Sequence, residues 1–254
     1  MFGFKDRRRK KTASRPFPDA WLVLLNKNVP LYGRLPQADQ EELKQHILVF
    51  MTEKRFEACG GLRMTDQIRI TIAAHACILL LHRKTDYYPG LKTILVYPRA
   101  YVAANVHRAV GDTVLETDDV RLGESWHHGS VVLSWDDVRR SAADVRDGQN
   151  VVFHEFAHQL DSSGGRGDST PVLRDRSSFI AWARALGEDF ENFKHAIEED
   201  RADVLDEYGA TDPAEFFAVA TECFFEVPKD LQQMYPRLYD ELKRFYQQDP
   251  ATFH

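Results

Sequence analysis

Residues 154–158 read His-Glu-Phe-Ala-His. On an α-helix, positions i and i+4 lie one turn apart on the same face, so His154 and His158 can grip one metal ion. Glu155 stands beside them, within reach of a water on that ion. This HExxH spacing lets two imidazoles hold zinc while the glutamate acts as general base in peptide hydrolysis. A chain with 10 His in 254 residues yields on the order of 0.03 such matches by chance, so the pentapeptide is a signal rather than a product of composition.

Two histidines leave a catalytic zinc one protein ligand short. Asp161, Glu215 and Glu222 are the candidates downstream. Asp161 follows His158 by three and shares its face, but its reach to the same ion would be strained, which suits a supporting role behind a ligand. Glu215 falls in the first turn of a helix opened by Asp212 and Pro213, and Glu222 lies two turns later on the same face. Spacing alone also fits Glu215 as part of a capping box with Asp212. From the residues only, the third ligand stays open between Glu215 and Glu222. A structural zinc closed by Asp161 or Glu222 as fourth ligand is a further arrangement of the same residues.

The elements that must position these groups follow from local pattern. Asn150 reads as the N-cap of the motif helix, after the polar cluster at residues 147–149. Phe153, Ala157 and Leu160 form a core stripe beside the stripe of His154 and His158. Residues 37–55 and 67–83 read as helices, the second capped by Thr65 or Asp66 and apolar almost all round. Residues 93–97 and 130–135 read as strands, and 113–122 as a third. The second of these is either an ordinary interior strand or an edge that aligns a peptide substrate by β-augmentation. Residues 162–170 read as a Ser- and Gly-rich loop. Phe179, Trp182, Leu186, Phe190, Phe193 and Ile197 recur at helical steps, and residues 235–248 read as a last helix. Mixed elements with helices dominating the second half indicate an α+β fold.

Composition sets the outer bounds. The net charge of −6 argues against direct nucleic-acid binding. Three cysteines without a CxxC pair give neither a disulfide framework nor a Cys-type zinc site, and fit a reducing, cytoplasmic setting. No segment reads as a signal peptide or a membrane span, and no membrane partner is expected. The basic run at residues 5–11 belongs to an expected disordered tail, 1–18, ahead of one domain, 19–254. His75, His82, His127 and His128 are read as histidines outside the zinc site, and Cys223 as a packed thiol.

The stretches 150–161 and 206–226 resemble the Mlc titration factor A family of bacterial zinc peptidases. So do Tyr88-Pro-Gly-Leu-Lys-Thr-Ile-Leu-Val-Tyr97, Leu122-Gly-Glu-Ser-Trp126 and Phe245-Tyr-Gln-Gln-Asp-Pro250. The loop after Asp161 departs from the enteric members. The resemblance implies a zincin-like fold: an HExxH helix, a small mixed sheet and a helical C-terminal half, similar to the central metallopeptidase region of anthrax lethal factor. It implies one Zn2+ per chain on His154, His158 and Glu215. It further implies a zinc-bound water activated by Glu155, with Tyr208 assisting at the oxyanion. Peptide substrates cut by an aminopeptidase-type activity follow, with Glu124 or Glu222 open as the acid that holds the substrate's amino group. A regulatory alternative also follows, in which the chain binds and titrates a transcription repressor of the Mlc type.

Overall fold

The computed structural model describes residues 2–99, 101–102, 120–121, 123–126, 129–162, 176–201 and 203–253. In chain order the first half holds α1 (Phe2–Ala13), α2 (Asp19–Asn28), α3 (Pro30–Arg34), α4 (Gln37–Glu53), β1 (Arg55–Ala58) and α5 (Asp66–Ile78). Strands β2 (Thr93–Tyr97), β3 (Tyr101–Val102), β4 (Val120–Arg121), β5 (Gly123–Trp126) and β6 (Ser130–Ser134) follow. The second half is helical: α6 (Trp135–Ala143), α7 (Val151–Ser162), α8 (Arg176–Glu198), α9 (Pro213–Glu226), α10 (Pro228–Met234) and α11 (Pro236–Tyr246). A 3-10 turn, Glu207–Ala210, leads into α9.

The sheet is mixed, in the order β1-β2-β6-β5, with β5 antiparallel to β6 and the other pairs parallel. Strand β6 is therefore paired on both sides. Its reading as a substrate-aligning edge gives way to the interior alternative. Among the described residues the outer strands are β1 and β5, and β5 lies next to α7. Of the strand expected at 113–122, only β4 lies within the described residues. Residues 163–170 of the expected loop, His127 and His128 lie outside them, as do the side chains of Phe179 and Trp182.

Helix α5 starts where the sequence places it, with the Thr65 hydroxyl accepting the Ile68 N–H at 3.3 Å. It stops at Ile78, not near residue 83, because the Gln248 amide takes the Ile78 carbonyl at 2.8 Å and His82 adopts a left-handed φ of 61°. The reading of α4 through Arg55 also shortens. Arg55 opens β1 instead, its N–H bonded to the Lys92 carbonyl at 3.0 Å.

The expected disordered tail at 1–18 is a correction. Helix α1 packs on α4. Arg9 is the reason: its guanidinium meets Glu53 at 2.7 and 2.8 Å and Asp86 at 2.6 Å, and lies 4.7 Å over the Tyr87 ring. Those partners are 44 and 77 residues away, so the basic run alone carries no trace of them. No helix among the described residues is long and apolar enough to cross a membrane.

Candidate metal centre

Helix α7 is set in the core before it can present any ligand. Phe153, Phe156 and Ala157 are fully buried. The Phe156 ring meets Tyr88 at 4.9 Å and Phe50 at 5.8 Å, while Phe153 meets Phe225 of α9 at 5.1 Å and His75 of α5 at 5.3 Å. His75 is part of this bed. Burial pushes its pKa down to about 4 against the Thr71 carbonyl bond at its Nδ1, so it stays neutral and packs. Cys223 is likewise a packed thiol: burial pushes its pKa up, and its Sγ faces the Val204 carbonyl at 3.3 Å.

The start of α7 is fixed by several bonds. Asn150 caps it, its side-chain oxygen accepting the N–H groups of Val152 and Phe153 at 3.2 and 3.1 Å. Its amide nitrogen donates to Glu226 at 2.8 Å, and its backbone N–H donates to Glu222. Gly148, at φ 74°, turns the chain into this cap. A Cβ there would stand a tight 3.2 Å from Cys223 Sγ and 3.3 Å from Val227, and the left-handed φ itself favours glycine. Gln149 donates to Asp206 at 3.1 Å, and Asp206 accepts the Tyr208 N–H at 2.9 Å. The turn carrying Tyr208 is thus tied to the turn carrying α7.

Asp212 caps α9, accepting the N–H groups of Ala214 and Glu215 at 2.8 and 3.0 Å. Pro213 at the first helical position has no N–H to satisfy. The Glu215 side chain bonds His154 Nε2 at 2.9 Å and reaches His158 Nε2 at 3.3 Å. The two Nε2 atoms stand 3.2 Å apart. A tetrahedral zinc with ligand atoms at about 2.0–2.1 Å holds them about 3.3–3.4 Å from one another. Three donors of the right chemistry already stand at nearly that spacing, so the residues fit zinc.

Asp161 and Glu222 are outside this group of converging ligand atoms. Burial pushes Asp161 up to about 6, with His158 opposing and Asp212 adding. Glu222 sits behind His154, its Oε1 accepting Nδ1–H at 2.7 Å. It is buried and committed to two donors, so it is neither a third ligand nor an open site for a substrate's amino group.

Burial would lower the His154 pKa, but its bonds to Glu215 and Glu222 win and raise it to about 10. Burial would raise Glu215, yet the two imidazoles hold it at about 2. These opposed shifts make His154 and Glu215 an ion pair. Glu155 is buried beside it, and its charge acts on both His154 and Tyr208. The Tyr208 ring lies 5.9 Å from the His154 ring and remains half exposed. Its hydroxyl pKa is raised by burial and then by Glu215, Glu155 and Asp212, which keeps it a donor.

Residues 4–247 match the model of the glucose-regulated metallo-peptidase M90 family. The chain belongs to that family. Such a metallopeptidase family implies a metal ion, and the His154–His158–Glu215 group is a candidate seat for it. An uncharacterized protein of Synechocystis sp. is 38% identical over 246 residues, 96% of this chain and 90% of its own. Proteins named Mlc titration factor A from Klebsiella pneumoniae (strain 342) and Yersinia pestis (strain Pestoides F) are 33% and 30% identical. These two matches cover 87% and 89% of this chain, and 84% and 83% of the relatives.

Sequence reasoning did not find strand β5 or the double engagement of Glu222. For β5 the signal is weak, since Gly123-Glu-Ser-Trp126 has no period-2 apolar pattern. For Glu222 a signal exists. It lies seven residues after Glu215, two turns along one helix face, so both can meet one imidazole.

Proposed function

We propose that the chain is a zinc-dependent peptidase of the aminopeptidase type, with one Zn2+ on His154, His158 and Glu215. The observation that carries this reading is the approach of His154 Nε2, His158 Nε2 and Glu215 Oε2 to 2.9–3.3 Å of one another. Zinc supplies Lewis acidity toward water and toward a peptide carbonyl. Glu155 takes the proton from the attacking water and passes it to the leaving amine. The Tyr208 hydroxyl donates to the developing oxyanion from the open side of the site. A peptide aligns along the outer strand β5 by β-augmentation. In this reading α1 and residues 19–254 form one zincin-like domain, related to the central metallopeptidase region of anthrax lethal factor, and act in the cytoplasm.

A panel of chromogenic aminoacyl anilides, with and without chelator, tests the reading. Glu155→Gln keeps its zinc and loses roughly 10²–10⁴-fold in turnover. Unchanged turnover in that variant sinks the proposal. The printed name of the Klebsiella and Yersinia relatives supports a second role, binding of a transcription repressor of the Mlc type. Capture of such a repressor by the Glu155→Gln chain separates that role from hydrolysis. Failure to retain one counts against it.

A further inference from the structure

One carboxylate serves both ends of the motif helix's first turn. Glu222 is only 7% exposed, and its two oxygens go to different donors. Oε1 accepts His154 Nδ1–H at 2.7 Å, and Oε2 accepts the Asn150 N–H. Its own helix carries Glu215 two turns earlier, and Glu215 meets the other nitrogen of the same imidazole. The His154 ring is therefore held along one face of α9, Nδ1 at Glu222 and Nε2 at Glu215. A proton on Nδ1, given to Glu222, leaves Nε2 as the nitrogen for a metal.

We propose that Glu222 is the positioning residue of the metal centre. It fixes the tautomer and ring angle of His154 and locks that ring to the cap of α7, so that metal affinity depends on a residue that never touches the metal. This rests on the zinc reading above and deepens it. The geometry excludes a simple packing role. A packing residue would leave two buried N–H donors needing other acceptors, and Glu222 supplies both. Glu226, one turn on, is the natural contrast. It is also buried on α9 and bonds the Asn150 side chain, yet it makes no bond to His154.

Glu222→Gln is isosteric but has one acceptor oxygen where the site has two donors. Either the imidazole or the cap N–H must then face an NH2 group. Zinc affinity of the full chain, measured by competition with a chromophoric chelator, falls roughly 10–100-fold in Glu222→Gln. Glu226→Gln retains an acceptor for the Asn150 amide, and its zinc Kd stays within about 3-fold of wild type, below that range. The visible spectrum of the Co2+-loaded chain changes in Glu222→Gln and not in Glu226→Gln. Equal losses in both variants, or an unmoved Kd in Glu222→Gln, overturn the proposal.

A measurement on the unsubstituted chain guards against a variant that does not fold. Long-range proton–nitrogen correlation of the zinc-loaded wild type places the proton of His154 on Nδ1. A proton on Nε2 overturns the proposal without any substitution. A wild-type chain that takes up no zinc overturns the zinc reading itself. Wild-type uptake with an unmoved Glu222→Gln removes only the role of Glu222.

Discussion

His154, His158 and Glu215 form one histidine–carboxylate cluster, and His82, Asp39 and Glu42 form another. In each, three ligand atoms lie within 4.8 Å of one another. The first brings two imidazoles to one carboxylate; the second brings one imidazole to two. In the second, His82 directs Nε2 at Asp39 (3.2 Å) and Nδ1 at Glu42 (3.3 Å). Glu42 also accepts the His82 backbone N–H at 2.8 Å and meets His46 at 3.2 Å. Both ring nitrogens of His82 are thus spread between separate acids, which makes a polar clasp between α4 and the turn after α5. His154 likewise meets an acid at each ring nitrogen, Glu222 at Nδ1 and Glu215 at Nε2, but there the acid at Nδ1 is buried and a second imidazole, His158, joins at Nε2. Closeness of ligand atoms is common to both; what stands behind the imidazole differs.

The sharpest test of that difference removes one carboxylate from each cluster. Glu215→Ala loses zinc affinity by more than about 100-fold, since even partners behind a ligand are worth roughly 10–100-fold. Peptide hydrolysis disappears with it. Asp39→Ala leaves zinc stoichiometry and Kd at wild-type values in the same chelator competition. Loss of zinc in Asp39→Ala would break the comparison and move the metal to the other cluster.

A tyrosine accompanies each cluster, and the next effect in size concerns these. Tyr87 is buried, its hydroxyl bonded to His46 Nδ1 at 2.7 Å. Tyr208 is half exposed beside His154 on a turn held by Asp206. Only Tyr208 can offer its hydroxyl to a substrate. Tyr208→Phe lowers kcat by about 10²-fold, the scale of one lost oxyanion donor, with the zinc Kd unchanged. A weakened zinc Kd at full kcat would instead make Tyr208 part of the metal's own support.

How much of this was legible in the chain depends on the range of the interaction. The motif helix, its Asn150 cap and the Asp212-Pro213 start of α9 are local, and the sequence predicts each from residues within one turn. The proposed third ligand, Glu215, lies 61 residues from His154, and spacing alone leaves Glu215 and Glu222 level. The structure separates them by which nitrogen each meets. The docking of α1 through Arg9 joins residues 44 and 77 apart, and composition read that stretch as a solvated tail. Strand β6 was found, but its place between β2 and β5 is a property of the sheet, not of residues 130–134. The clasp at His82 was also hidden. Helical periodicity carried α5 on through residue 83, whereas a left-handed residue 82 turns the imidazole back toward α4.

The smallest effect tests whether that clasp is electrostatic. The Glu42 carboxyl is held below its ordinary value of 4.5 by the His46 bond, against burial, with the His82 N–H adding to the lowering. A carboxyl depressed in the folded state contributes stability above its unfolded pKa. That contribution is lost as pH falls through the folded value. Wild type therefore exceeds Glu42→Gln in urea unfolding by at most about 1 kcal/mol at pH 6, because the group is one-third exposed and screened. The gap narrows as pH drops below about 4.5 and closes in stronger acid. Chelator leaves the gap unchanged, since no metal is involved. The stabilisation that zinc gives the first cluster vanishes when chelator is added. A gap that persists in acid would mean the clasp holds by packing, and a gap that responds to chelator would mean the two clusters share one chemistry after all.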